Sequence, residues 1–391
     1  MDNNLLKELK ELLNYICTDI GERPTGSMAN RELAKYARNY FENNGYKIET
    51  QEFSCIDWEN RGARLIVNQK ELKARPSYYT KPCNLEAEII QLTTIDQLEN
   101  SDLEDKIAVL SDELTEEQLM PKSFTFYNPE RHQKIIKLLE QKNPLAIITV
   151  VANDTSVLED GDFAIPSIYI SEESGQKLLN HQGKIRLKID TARKDSRGVN
   201  LIARINPDAG KKLVVTAHLD TKYGTPGALD HGTGIAILLL LSSIIKAKDI
   251  NYTLELLLLN GEDYYSTPGQ IKYLEEYIIN NESISLVINC DGVGLKGSKT
   301  AISFMELAEN KQKLIKDLIS TEDKIELIEP WEMGDHMLFV MNGIPAITFT
   351  SKEILNLIDE IAHTEKDSIE IIDYQRVLEV IDLIANILVI L

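Results

Sequence analysis

The chain has few cysteines, few cations for its anions and no long apolar run, and each shortage removes a class of protein. Only four cysteines occur in 391 residues: Cys17, Cys55, Cys83 and Cys290. None forms a Cys-x-x-Cys pair, which excludes a zinc knuckle and a dithiol redox centre, and four are too few for a disulfide scaffold of this size. Lys and Arg number 42 against 62 Asp and Glu, a formal net charge of -20. Such a surface repels nucleic acid and anionic membrane, so neither is expected as a partner. The longest apolar runs, such as Ile235 to Leu241, fall far short of the roughly 20 residues that span a bilayer. The start, Met1-Asp2-Asn3-Asn4-Leu5-Leu6-Lys7, lacks the basic-then-apolar pattern of a secretory signal. A cytoplasmic protein is expected.

What remains is a globular composition, 43% hydrophobic and 27% charged, in a chain longer than one ordinary domain. Apolar positions at helical spacing predict helices over 5–17 and 29–44, followed by an alternating strand over 46–53. From 55 to 195 the texture changes. Short strands (87–92, 106–110, 145–151, 167–170, 184–189) alternate with polar loops and a helix near 131–141. From Gly198 onward, buried-type strands at 213–217, 253–259, 286–289 and 345–350 alternate with helices at 232–247, 267–280, 308–320, 335–342 and 374–390. That alternation predicts an α/β domain, a mostly parallel twisted sheet flanked by helices. The expected domains are therefore 1–54 with 196–391, and a smaller β-rich insert over 55–195.

Chemistry gathers at the predicted strand ends, where open α/β sheets place ligands. His218-Leu219-Asp220 closes the first strand, and Asp220 is placed to hold the His218 imidazole. Asp230 follows Pro226-Gly227 and opens an apolar helix; alone it would be a helix N-cap. Glu262-Asp263 follows the second strand, and two adjacent acids repel unless a cation or proton relieves them. Asp291 closes the third strand in what would otherwise be an ordinary Asp-Gly turn. His363 lies in a polar loop before the last helix. Singly these are weak signals. Jointly, His218, Asp230, Asp263, Asp291 and His363 suit two zinc ions, each with its own His and acid plus one bridging carboxylate, leaving Glu262 free as general base. Four of the six histidines lie at or near these motifs.

In order along the chain, His218-Leu219-Asp220, Gly227-Ala228-Leu229-Asp230, Gly261-Glu262-Asp263, Asn289-Cys290-Asp291, Gly334-Asp335-His336 and His363-Thr364 resemble metallopeptidase family 28, the di-zinc aminopeptidase family. Ile20-Gly21-Glu22-Arg23-Pro24-Thr25-Gly26-Ser27 resembles its usual opening. The resemblance implies a zinc-exopeptidase fold and a ligand pairing: His218 with Asp291, Asp263 with His363, and Asp230 bridging. It also implies that 55–195 is similar to a protease-associated insert, on Leu103–Leu110 and Ala164–Ile170.

The sequence departs from the family at several points. His231 stands where many relatives carry Asn or Asp, and Asp263 replaces the commoner Glu. Where some relatives place an oxyanion-supporting Tyr, this chain has Ala362 before His363 and Trp331 before Asp335. Asp335 and His336 are expected to shape the substrate site or support the metal ligands from behind rather than bind zinc. The expected function is that of a zinc-dependent exopeptidase, an aminopeptidase acting on peptides through a di-zinc-activated water, with Glu262 as base. The competing readings are a glutaminyl-cyclase-like or other amide-processing zinc enzyme, and a non-catalytic binding protein. Self-association is left open by the sequence.

Overall fold

Strands buried on both faces read as continuous apolar runs, and two of them carry the architecture: Lys212–His218 and Thr253–Leu259 are buried at every position. The computed structural model describes residues 3–124, 127–152, 155–179, 181, 183–246, 250–279, 284–320, 322–354 and 360–391. Positions 247 and 280, where two of the expected helices end, lie outside the described residues. The chain divides into two compact units, Met1–Cys55 with Ser196–Leu391, and Ile56–Asp195.

In the larger unit the sheet order is Ile325–Leu327, Thr300–Met305, Ala346–Ser351, Ile284–Cys290, Lys212–His218, Thr253–Leu259, then the 201–205 stretch of Lys184–Ile205. The four central strands, Ala346–Ser351 to Thr253–Leu259, are mutually parallel. Thr300–Met305 and the 201–205 stretch flank them antiparallel. Thr300–Met305 and Ile325–Leu327 were not expected; Thr300-Ala301-Ile302-Ser303 mixes polar and apolar residues and carries no continuous run. The register pairs His218 with Leu259 and Cys290 with Phe349, so the parallel strands end at one level. Their following loops emerge along one edge.

Helix Thr233–Ile244 is apolar nearly all round and correspondingly buried. It packs with Tyr374–Ile390 and Asn3–Asn14, and the three share one hydrophobic core with the sheet. Asn3–Asn14 continues as a wider turn over Tyr15–Ile20, and Met28–Asn43 is capped by Ser27 Oγ, which accepts from the Asn30 N–H. Asp373 caps the last helix by accepting from the N–H groups of Gln375 and Arg376.

The smaller unit has its own parallel strands, Cys83–Leu92, Lys106–Leu110, Ala146–Val151 and Ser167–Ser171. Its sheet is completed by the antiparallel 184–189 stretch and Arg75–Pro76. Separate apolar clusters cover its faces, one including Ile135, Ile136 and Leu139 of helix Glu130–Lys142. Among the described residues no helix is long and apolar enough to cross a membrane.

Candidate metal centre

His218 is the last residue of its strand and is 1% exposed. Its Nδ1 lies 3.1 Å from the backbone carbonyl of Asp220 and 3.7 Å from that residue's carboxylate. A donated Nδ1–H to the carbonyl fixes the tautomer and leaves Nε2 as the free donor atom. The Asp220 carboxylate also holds a second element. Oδ1 accepts from the N–H groups of Gly261 (2.8 Å) and Glu262 (3.3 Å), and Oδ2 accepts from Asp263 N–H (3.1 Å) and Thr25 Oγ1 (2.8 Å). The expected orienting partner of His218 is thus also a clasp on the turn that carries the paired acids. Burial opposes its charge, yet His218 and these donors hold its pKa below the usual value.

Asp230 is not a helix N-cap; the helix begins after Gly232. The turn before it needs Gly227, whose φ is 60° and whose added Cβ would lie 2.3 Å from Thr221 Cγ2. The Asp230–His231 peptide is cis. Asp367 anchors this turn: its carboxylate accepts from Leu229 N–H (2.6 Å) and Asp230 N–H (3.0 Å). Held this way, Asp230 presents Oδ1 to His218 Nε2 at 3.0 Å and Oδ2 to His363 Nε2 at 3.1 Å. His363 Nε2 is also 3.1 Å from Asp263 Oδ1. The sequence-predicted residues His218, Asp230, Asp263 and His363 therefore meet directly. Asp291, following strand Ile284–Cys290, approaches by way of His231, with Oδ1 3.5 Å from His231 Nε2. Glu262 Oε2 stands 4.0 Å from His218 Nε2 and lines the cleft.

So many acids together strain their own ionisation. Burial and the nearby Asp230 push the Asp291 carboxyl up to about 8. Burial, with Asp263, Asp335 and Asp291, pushes Glu262 well above its usual range against the pull of His218. Burial disfavours charge on both His218 and His363. The carboxylates outweigh it and hold both well above ordinary imidazole values. Here two imidazolium protons do what a cation would do.

The residues fit a metal on three observations. Asp263 Oδ2 is buried without a partner. Two sets of donors, His218 with His231 and Asp291, and His218 with Asp230 and Asp263, each lie within 4.8 Å of one another. The 3.0 and 3.1 Å contacts approach the donor separation of about 3.3 Å set by tetrahedral zinc bonds of about 2.0–2.1 Å.

Four residues carry the site without having been singled out from sequence. Asp367 is one. Arg23, 0% exposed, donates to the carbonyls of Leu219, Gly21, Pro226 and Gly227. Asn30 and Asn260 exchange side-chain amide bonds at 3.0 and 2.8 Å behind the Glu262 turn. Arg23 and Thr25 did fall within the quoted opening segment, but their contacts could not be read from it. Asp335 accepts from Gln270 Nε2 at 2.5 Å. His336 donates Nε2–H to Trp331 O at 2.6 Å, with Asn289 Nδ2 3.2 Å from its Nδ1. Burial lowers the His336 pKa to about 4, which keeps it neutral. Neither joins a donor set. The cleft is walled by Leu229, Trp331, Met333, Ile354 and Ala362 beside the acids.

Imidazoles and carboxylates converging beside the carboxyl ends of parallel strands make this cleft a candidate metal site. Residues 200–388 match the model of peptidase family M28, so this stretch of the chain is similar to that family. The curated relative aminopeptidase YwaD of Bacillus subtilis (strain 168) is 24% identical over 240 residues, 59% of this chain and 52% of that protein. The alignment thus spans about half the length of that relative. Among solved structures, a zinc aminopeptidase from Bacillus subtilis shares the fold with a TM-score of 0.77 at 19% identity, covering 98% of this chain and 94% of that one. An aminopeptidase from Aneurinibacillus sp. strain AM-1 gives 0.75 at 18% identity, covering 98% and 92%.

Proposed function

We propose that the protein is a zinc-dependent exopeptidase, an aminopeptidase, holding two zinc ions. His218 and Asp291 hold one, Asp263 and His363 the other, and Asp230 bridges both. The observation that carries this reading is the Asp230 carboxylate, whose two oxygens face two different imidazoles at 3.0 and 3.1 Å. Bound zinc supplies Lewis acidity, polarising the scissile carbonyl and making water acidic near neutral pH. Glu262, outside both donor sets but 4.0 Å from His218, takes the proton from the attacking water and returns it to the leaving amine. A carboxyl with a raised pKa suits both halves of that task. Trp331, Met333 and Ile354 offer an apolar wall for a substrate side chain. Residues 56–195 are proposed as an insert of the protease-associated type. The four free cysteines support a reducing, cytoplasmic setting.

The test is metal analysis of the purified protein together with a panel of aminoacyl amides and N-blocked peptides. Two zinc ions per chain and turnover only of substrates with a free amine are expected. One zinc with cyclisation of N-terminal glutamine would favour the cyclase alternative. Retained partner binding without zinc would favour a binding protein.

A further inference from the structure

His231 lies with its ring against His218, and the proposed mechanism gives it no task. It is 0% exposed, and neither ring nitrogen has a hydrogen-bond partner. Burying polar atoms without partners is costly, and buried imidazoles ordinarily find one. The chain nonetheless makes room for this ring. A Cβ on Gly234 would lie 2.0 Å from His231 Cε1 and 2.1 Å from Nδ1, so only glycine at 234 admits the imidazole where it stands.

The ring is aimed at the site. Its centroid is 4.3 Å from that of His218, with the planes tilted by 54° rather than stacked flat. Its Nε2 is 3.5 Å from Asp291 Oδ1, long for a hydrogen bond but close to the roughly 3.3 Å between neighbouring donors on tetrahedral zinc. Donor atoms of His218, His231 and Asp291 lie within 4.8 Å of one another.

We propose that His231 is a direct ligand of the metal ion held by His218 and Asp291, an inference that rests on the metal-centre reading above. With Asp230 bridging, that ion receives four protein donors, a closed set of the kind found in structural sites. The other position has three, from Asp230, Asp263 and His363, and keeps a place for substrate or water. The two ions are therefore unequal: one tightly held, one exchangeable.

The experiment uses full-length protein labelled with ¹⁵N at its histidines and loaded with ¹¹³Cd. Only a nitrogen bonded to cadmium shows ¹¹³Cd splitting, and the His231 signals are assigned from their loss in His231→Asn and His231→Gln. Splitting at His218, His231 and His363 is expected. Splitting at His218 and His363 alone overturns the proposal and leaves the metal centre intact. No splitting at any histidine overturns both. As a second measurement, stepwise chelation of the zinc-loaded protein should remove one ion well before the other. In His231→Asn the tighter ion should leave at a chelator concentration lower by roughly tenfold or more, since even outer partners of metal ligands contribute about that factor. An unchanged chelation profile in the variant counts against the assignment.

Discussion

Glu262 and Asp263 are adjacent acids with different duties, and the difference lies in what surrounds each. The Asp263 side chain is 2% exposed and faces His363, whereas the Glu262 side chain is 26% exposed and reaches into the cleft. Glu262→Gln keeps the shape and removes the base, so turnover should fall by about 10²–10⁴-fold with zinc content unchanged. Steady-state kinetics beside metal analysis checks this, and normal turnover would sink the proposed role. Asp367 is a different kind of residue, acting only through Leu229 and Asp230. Asp367→Ala leaves two buried N–H groups without an acceptor, a loss of about 2–6 kcal/mol at about 1–3 kcal/mol each. A denaturant titration reads it, and an unmoved midpoint would show that the turn holds itself.

At the scale of elements, the centre consists of two turns held from behind. The 261–263 turn hangs on the Asp220 carboxylate, and the 227–232 turn hangs on Asp367 and on Arg23, which grips the Pro226 and Gly227 carbonyls. The second turn has one bond of its own, from Gly232 N–H to the Gly227 carbonyl at 2.9 Å, and takes the rest of its support from these distant side chains. Gly227→Ala tests the second. The new Cβ meets Thr221 Cγ2 at 2.3 Å and the Asp230 carbonyl at 2.6 Å in a backbone with φ of 60°. We expect a stability loss of about 1–3 kcal/mol from overpacking and bound zinc below two per chain. Full zinc content in this variant would mean that Asp230 tolerates the shift.

For the whole molecule, the acidic centre couples folding to metal and pH. Without metal, His218 and His363 titrate above their unfolded value. The stability they bring is therefore complete below about pH 6.5 and is lost as pH rises through their folded values. Asp291, raised to about 8, and Glu262 keep protons that the unfolded chain has already shed, so their effect has the same sign. The thermal midpoint of metal-free protein should fall as pH rises from 5 to 8, a window set by roughly the unfolded carboxyl values and the raised folded ones. Zinc binds the deprotonated ligands, so the zinc-induced rise in midpoint should grow over the same window. Thermal scans with and without chelator check both, and a metal-free midpoint that rises across the window would contradict the assigned shifts.

The sequence by itself determined the central parallel strands and which candidate residues lie near their ends. Lys212–His218, Thr253–Leu259 and Ile284–Cys290 are apolar runs because both faces of a parallel sheet are covered. The polar residues that close or follow each run mark where the chain leaves the core, so His218, Glu262, Asp263 and Asp291 stood out as candidates, while Asp230 stood out from the Pro226-Gly227 turn before an apolar helix. Only the tertiary structure decided what those residues do for one another. Asp220 was expected to steady His218; beside that contact, its carboxylate also holds a turn 41 to 43 residues away. Arg23 meets Gly227 across 204 residues, and Asp367 meets Leu229 across 138. Local periodicity reports which face of a strand or helix is buried. It carries no record of which distant backbone groups a buried side chain satisfies, because that pairing exists only once the sheet has brought its loops to one edge.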